Sequence, residues 1–147
     1  MKVAIGSDHR GFLLKEQIKS AFTPQNIEFE DFGAKSREPC DYPDYAFPVA
    51  EAVAGGRAER GILVCSSGNG MLIAANKVKG VRAAAALSPE MARLSRLHND
   101  ANVLAIPADY VDPQLVSKIV KVWLETPFEG GRHLRRLEKI REYESRR

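Results

Sequence analysis

Only two cysteines, Cys40 and Cys65, occur in 147 residues. That excludes a disulfide framework, and their spacing matches no zinc motif. Long apolar runs are missing as well: nothing approaches the roughly 20 apolar residues that cross a bilayer. The stretch from Met1 to His9 turns polar too early for a secretory signal. There is no internal repeat, low-complexity stretch or linker. Neither a P-loop nor a dinucleotide fingerprint is present. The expectation is one domain over residues 1–147, cytoplasmic and not membrane-bound.

Charge of one sign is scarce overall. The net charge is +3, from 22 basic and 19 acidic residues. Residues 132–147 carry seven basic and three acidic groups, so the rest of the chain is 15 against 16. An anionic partner is therefore expected at this terminal segment. No aromatic residues interleave with the basic ones to stack bases, which argues against nucleic acid.

What is present is a regular alternation of short apolar runs and helical patterns. Val3-Ala4-Ile5 reads as a strand. Leu14, Ile18 and Phe22 mark one helix face. Residues 27–32 alternate with period two, as a half-buried strand does. A helix after Pro43 turns Ala46, Val49, Ala50 and Val53 inward. Gly61 to Val64 is a third strand, residues 81–86 a weaker one, and Val103 to Ile106 a fifth. Ser88-Pro89-Glu90 and Asp112-Pro113 start helices; the second shows Leu115, Ile119 and Trp123 on one face. Gly130-Gly131 precedes a basic helix over residues 132–146. Such alternation implies an α/β fold with a parallel sheet covered on both sides, and ligands beyond the C-terminal strand ends.

Two polar clusters fall at such ends: Ser7-Asp8-His9, and Cys65-Ser66-Ser67-Gly68-Asn69-Gly70 before a helix over residues 71–76. The second places a thiol beside backbone N–H groups at a helix start, which favours a thiolate and any anion in a bound substrate. Inert packing of Cys65 is the alternative. A cysteine phosphatase would need arginine at position 71, where Met71 stands. Asp8 can equally cap the next helix. His98, at helical spacing from Met91 and Leu94, can be a core histidine, although His98-Asn99-Asp100 is a polar approach to a strand. Arg132 and Arg136 share a helix face and can fork onto a phosphate or form a solvated surface. Leu134, Leu137 and Ile140 lie on roughly the opposite side. Tyr42 beside Pro43 can be plain turn packing.

Taken in register, these segments resemble the ribose-5-phosphate isomerase B family, which includes galactose-6-phosphate isomerase subunits. The resemblance rests on residues 6–12, Asp41-Tyr42-Pro43, residues 61–65, Gly68-Asn69-Gly70, residues 73–77, 94–103 and 129–133. It implies a Rossmann-like three-layer α/β/α sandwich with a five-stranded parallel sheet. It further implies dimers or tetramers with active sites across the interface, and aldose–ketose isomerisation of ribose 5-phosphate without metal or cofactor. By resemblance, Cys65 moves the proton. Ser67 and the backbone of Ser66, Gly68, Asn69 and Gly70 hold the enediolate oxygen. His98 assists ring opening, Asp8 meets the sugar hydroxyls and Asn99 the reacting oxygens. His9, Arg132 and Arg136 resemble the phosphate set, and Tyr42 joins the substrate-binding residues.

Two departures bear on this. Ser66 and Ser67 replace the usual glycine-threonine pair of the turn. Asp109 stands where many members carry arginine, so either Arg10 compensates or the substrate is another sugar phosphate, a tetrose or hexose. A non-catalytic sugar-phosphate or RNA-binding module is the remaining alternative.

Overall fold

The computed structural model describes residues 1–147. Five parallel strands form one sheet: β1 Lys2–Ser7, β2 Glu28–Asp31, β3 Arg60–Cys65, β4 Ala83–Ala85 and β5 Val103–Pro107. Six helices accompany them: α1 Phe12–Phe22, α2 Pro43–Ala54, α3 Asn69–Ala75, α4 Pro89–Asn99, α5 Pro113–Glu125 and α6 Arg132–Glu144. None is long and apolar enough to cross a membrane.

The three-layer arrangement follows from side-chain alternation along the strands. Val3, Ile5, Ile62, Val64, Leu104 and Ile106 turn to one face and meet Ile18, Phe22, Ala92, Ile119 and Trp123 from α1, α4 and α5. Ala4, Leu63, Cys65 and Val103 turn to the other and meet Val49, Val53, Met71 and Ala75 from α2 and α3. Successive strand residues pointing to opposite faces is the ordinary period of a strand, and here both faces are covered.

Two details of the sequence reading change. On α5 the buried stripe is Val116, Ile119, Val120, Trp123 and Leu124, whereas Leu115 is exposed. On α6 only His133 and Leu137 are buried, while Leu134 and Ile140 stay exposed. The alanine-rich run is a strand, as expected, but only three residues of it, at the sheet edge.

The strand order is β2-β1-β3-β5-β4. Connections therefore run one way from β1 and the other way from β3. A crevice opens between the C-terminal ends of these two strands, the position where open α/β sheets bind ligands. β1 ends at Ser7, followed by Asp8 and His9; β3 ends at Cys65.

Candidate active site

Cys65 is buried, with its side chain on the α2/α3 side of the sheet. The chain turns sharply after it. Gly68 takes φ of 81°, a left-handed conformation that suits glycine, and α3 begins at Asn69 rather than at Met71. Ser66 is not among the residues of positive φ, so its replacement of a glycine costs no strain. Gly70 leaves room for a ring: a Cβ there would lie 2.6 Å from Cζ of Tyr42. Gly11 is pressed as closely against β3, where a Cβ would fall 2.3 Å from the Val64 carbonyl oxygen.

Backbone N–H groups of Met71, Gly68 and Ser67 lie close enough to the Cys65 sulfur to favour its thiolate, as the turn's composition led one to expect. The expected net effect on the thiol does not follow. Burial pushes its pKa above the usual value, and the nearby Asp8 carboxylate adds to this. The three N–H groups pull the other way and are outweighed, because removing a thiolate from water costs more than partial backbone charges return. Cys65 is thus a thiol that needs a substrate or higher pH to ionise.

Around it, Asp8 serves the turn. Its Oδ1 accepts hydrogen bonds from the N–H of Arg10 and of Gly11, at 3.0 and 2.9 Å, which holds the turn before α1. The expected helix cap is not made, because Gly11, not Asp8, occupies the N-cap position and no side-chain cap bond forms there. Nδ1 of His9 accepts from the Cys40 N–H at 3.2 Å. Ser67 is exposed, and its hydroxyl accepts from the Asn69 N–H at 3.3 Å. Beside this turn a cleft of about 350 Å³ is lined by Ser67, Asn69, Ala85, Leu87, Pro107 and Tyr110.

Arg10, Ser66 and Asp109 form one cluster at the mouth of the turn. Nη1 of Arg10 lies 3.2 Å from Oδ2 of Asp109 and 3.3 Å from Oγ of Ser66. The Ser66 hydroxyl donates to the same Asp109 oxygen at 2.6 Å. The Asp109 N–H also donates to the Ser66 carbonyl, at 3.1 Å. Asp109 is therefore locally neutralised by Arg10, and Ser66 orients both.

The second group of expected residues sits elsewhere. His98 and Asn99 close α4, at the N-terminal end of β5. His98 is half-exposed, not a core histidine, and stacks on His133 with ring centroids 4.4 Å apart. Burial, then the His98 and Arg132 charges, lower the pKa of His133. The α4 terminus is held firmly. Asp100 takes a left-handed φ of 45°, and its carboxylate receives Arg96 at 2.8 Å and Arg82 at 3.2 Å. The Glu129 N–H donates to the Leu97 carbonyl, which ties the start of the α6 segment to the same place. Arg132 and Arg136 are exposed on α6 and form no ion pair.

Cys65 pairs with Pro107, the last residue of β5, whereas His98 precedes Val103, the first. Four residue steps of parallel strand span about 13 Å. The structure thus brings together Cys65, Ser66, Ser67, Gly68, Asn69, Gly70, Asp8, His9 and Tyr42 at one end of the sheet. It brings together His98, Asn99, Arg132 and Arg136 at the other, and one chain does not join the two sets. Glu129 and His133 lie beside His98, and the sequence reading gave them no role. Their four-residue spacing is the one available signal, and the glycine pair between them hides it.

Fold and thiol end together define a class: an α/β/α sandwich with a ligand crevice at the strand ends of a parallel sheet. Its sequence matches the family described as Ribose/Galactose Isomerase over residues 3–140. A ribose-5-phosphate isomerase B of Escherichia coli is 48% identical over 146 residues, covering 99% of this chain and 98% of that one. A ribose-5-phosphate isomerase B structure from Clostridium thermocellum superposes with a TM-score of 0.97 at 48% identity, with 99% of each chain covered. One from Mycoplasma genitalium with bound ribulose-5-phosphate gives 0.95 at 41% identity, covering 99% of this chain and 97% of that one. The chain belongs to the ribose/galactose isomerase family.

Proposed function

We propose that this chain interconverts ribose 5-phosphate and ribulose 5-phosphate through an enediolate, with Cys65 as the base. The observation that carries the reading is the buried Cys65 sulfur at the β1/β3 crevice, faced by three backbone N–H groups. In the aldose-to-ketose direction the Cys65 thiolate takes the proton from C2. The C2–H electron pair becomes the C1–C2 double bond, and the carbonyl pair moves to O1. The thiol then returns the proton to C1 while the O2 proton leaves and O1 is protonated. The Ser67 hydroxyl and the backbone from Ser66 to Gly70 stabilise the intermediate charge; such fixed donors are worth about 3 kcal/mol each. His98 assists opening of the furanose ring, Asn99 meets the reacting oxygens, and Asp8 and Tyr42 face the sugar. His9, Arg132 and Arg136 hold the phosphate, whose binding orients the reacting carbons.

The two halves of the site at opposite sheet ends support a dimer or tetramer in which Cys65 of one copy meets His98 of another. The relatives named ribose-5-phosphate isomerase B and the ribulose-5-phosphate bound in one of them support the substrate. A second reading, isomerisation of another sugar phosphate, is favoured by Asp109, which ties up part of the Arg10 charge. Rates on tetrose, pentose and hexose phosphates separate the two: ribose 5-phosphate preferred supports the first reading. Loss of its turnover in Cys65→Ala is expected, and equal rates for wild type and variant exclude Cys65 as base.

A further inference from the structure

His98, Glu129 and His133 meet where α4 ends and α6 begins, with one ligand atom from each lying within 4.8 Å of the others. We propose that these three side chains bind a zinc-type divalent cation, and that the cation switches the isomerase off by occupying His98. The inhibitory part rests on the reading of His98 as the ring-opening residue.

His133 is the observation that points to a ligand. Its side chain is 6% exposed, and its Nε2 has no hydrogen-bond partner. Buried ring nitrogens almost always find one. The nearest candidate, Oε2 of Glu129, is 3.7 Å away, beyond hydrogen-bonding distance. The same oxygen is 3.9 Å from Nε2 of His98. Two imidazole nitrogens and one carboxylate oxygen thus lie within 4.8 Å of one another.

Zinc–nitrogen and zinc–oxygen bonds of about 2.0–2.2 Å place tetrahedral ligand atoms roughly 3.3 Å apart. Closing the site asks for movements of about an ångström, and the residues able to make them are the exposed ones. Glu129 is 55% and His98 39% exposed, whereas His133 is fixed. The histidine rings, now 18° from parallel, would splay as the cation enters. A two-histidine, one-carboxylate set leaves the fourth position open and is borderline-soft, which selects zinc or cobalt over magnesium or calcium. Arg132 and Arg136 lie near enough to His133 to act on its charge, and their repulsion opposes a permanently held ion. This is the character of a regulatory site rather than of a resident cofactor. With the cation on Nε2, His98 has no free nitrogen there to exchange a proton with the sugar.

Cobalt titration of the full-length protein, followed by its visible absorption, tests the binding. One cobalt per chain is expected, displaced by zinc and unaffected by excess magnesium. Glu129→Gln and His133→Gln should each weaken binding at least about tenfold. Zinc should inhibit wild-type turnover, and Glu129→Gln should relieve that inhibition while keeping wild-type turnover without metal. Glu129 is exposed, so this variant tests the idea even if His133→Gln folds poorly. Unchanged cobalt affinity in Glu129→Gln overturns the site. Zinc inhibition that persists in Glu129→Gln assigns it to the Cys65 thiol and overturns the switch. Binding that Glu129→Gln weakens, with no loss of wild-type turnover, overturns the switch and keeps the site.

Discussion

Arg10 and Asp109 face each other at 3.2 Å across the mouth of the Cys65 turn, and Ser66 bonds to both. The Asp109 carboxylate is thereby offset by an arginine from the turn before α1. Both side chains are about half exposed, so solvent screens the pair and its value to stability is small. Its weight falls on ligand charge.

Asp109→Asn frees Arg10 to face an incoming phosphate. We expect KM for ribose 5-phosphate to fall about fivefold with little change in kcat, the size of one screened charge at contact distance. Arg10→Ala should raise KM by a similar factor. Steady-state kinetics on both variants check this; a kcat change without a KM change counts against it.

Turnover should rise with pH through and beyond the ordinary thiol range. Burial holds the Cys65 pKa up, against the pull of the Met71, Gly68 and Ser67 N–H groups, so the thiolate is the minor form at neutrality. Raising pH fills it. A pH profile of kcat/KM should show this ascending limb in wild type. Cys65→Ser should lose it along with about 10²–10⁴-fold in rate.

Mixing two inactive variants should restore activity if the site spans two copies. Cys65→Ala and His98→Ala each spoil both sites of their own dimer. A mixed dimer has one site with both defects and one intact site. Half the dimers are mixed after random reassembly, so about a quarter of wild-type activity should return. No recovery after verified subunit exchange places Cys65 and His98 in the same chain's site.

Asp31 is an acid-sensitive support for β2. Burial raises its pKa, but hydrogen bonds from Lys15 and Lys19 outweigh that and hold it below the usual value. Its folded pKa is depressed, so its stabilisation is present above the unfolded carboxylate range and is lost as pH falls through the folded value. The Lys15 ammonium is buried, 2.6 Å from Asp31 Oδ2. Asp31→Asn should cost about 3 kcal/mol at pH 7 by leaving that ammonium unpaired in part; urea unfolding measures it. The gap to wild type should close below about pH 4.

Much of the architecture was legible in local patterns. Val3 to Ile5, Gly61 to Val64 and Val103 to Ile106 are short continuous apolar runs between helical periodicities, and each is a buried parallel strand. The Cys65 turn was legible because small residues after a strand expose backbone. Three things were not. The direction of the Cys65 shift depends on how deeply the α2/α3 layer buries the thiol, which no local pattern encodes. The Arg10–Asp109 pair joins residues 99 positions apart. The His98–His133 stack depends on where α6 crosses α4, a matter of tertiary packing. Leu134 and Ile140 show the converse: a helical apolar stripe was read correctly as a stripe, but this chain covers only Leu137.

A parallel sheet has a direction, and the thiol and histidine groups lie at its two poles. A two-fold axis that carries one copy's thiol pole to its partner's histidine pole carries the reverse pair together as well. In the proposed assembly, sites are gained and lost in pairs. Catalysis then becomes a property of encounter: on dilution, specific activity falls with the dissociation of copies while every chain stays folded.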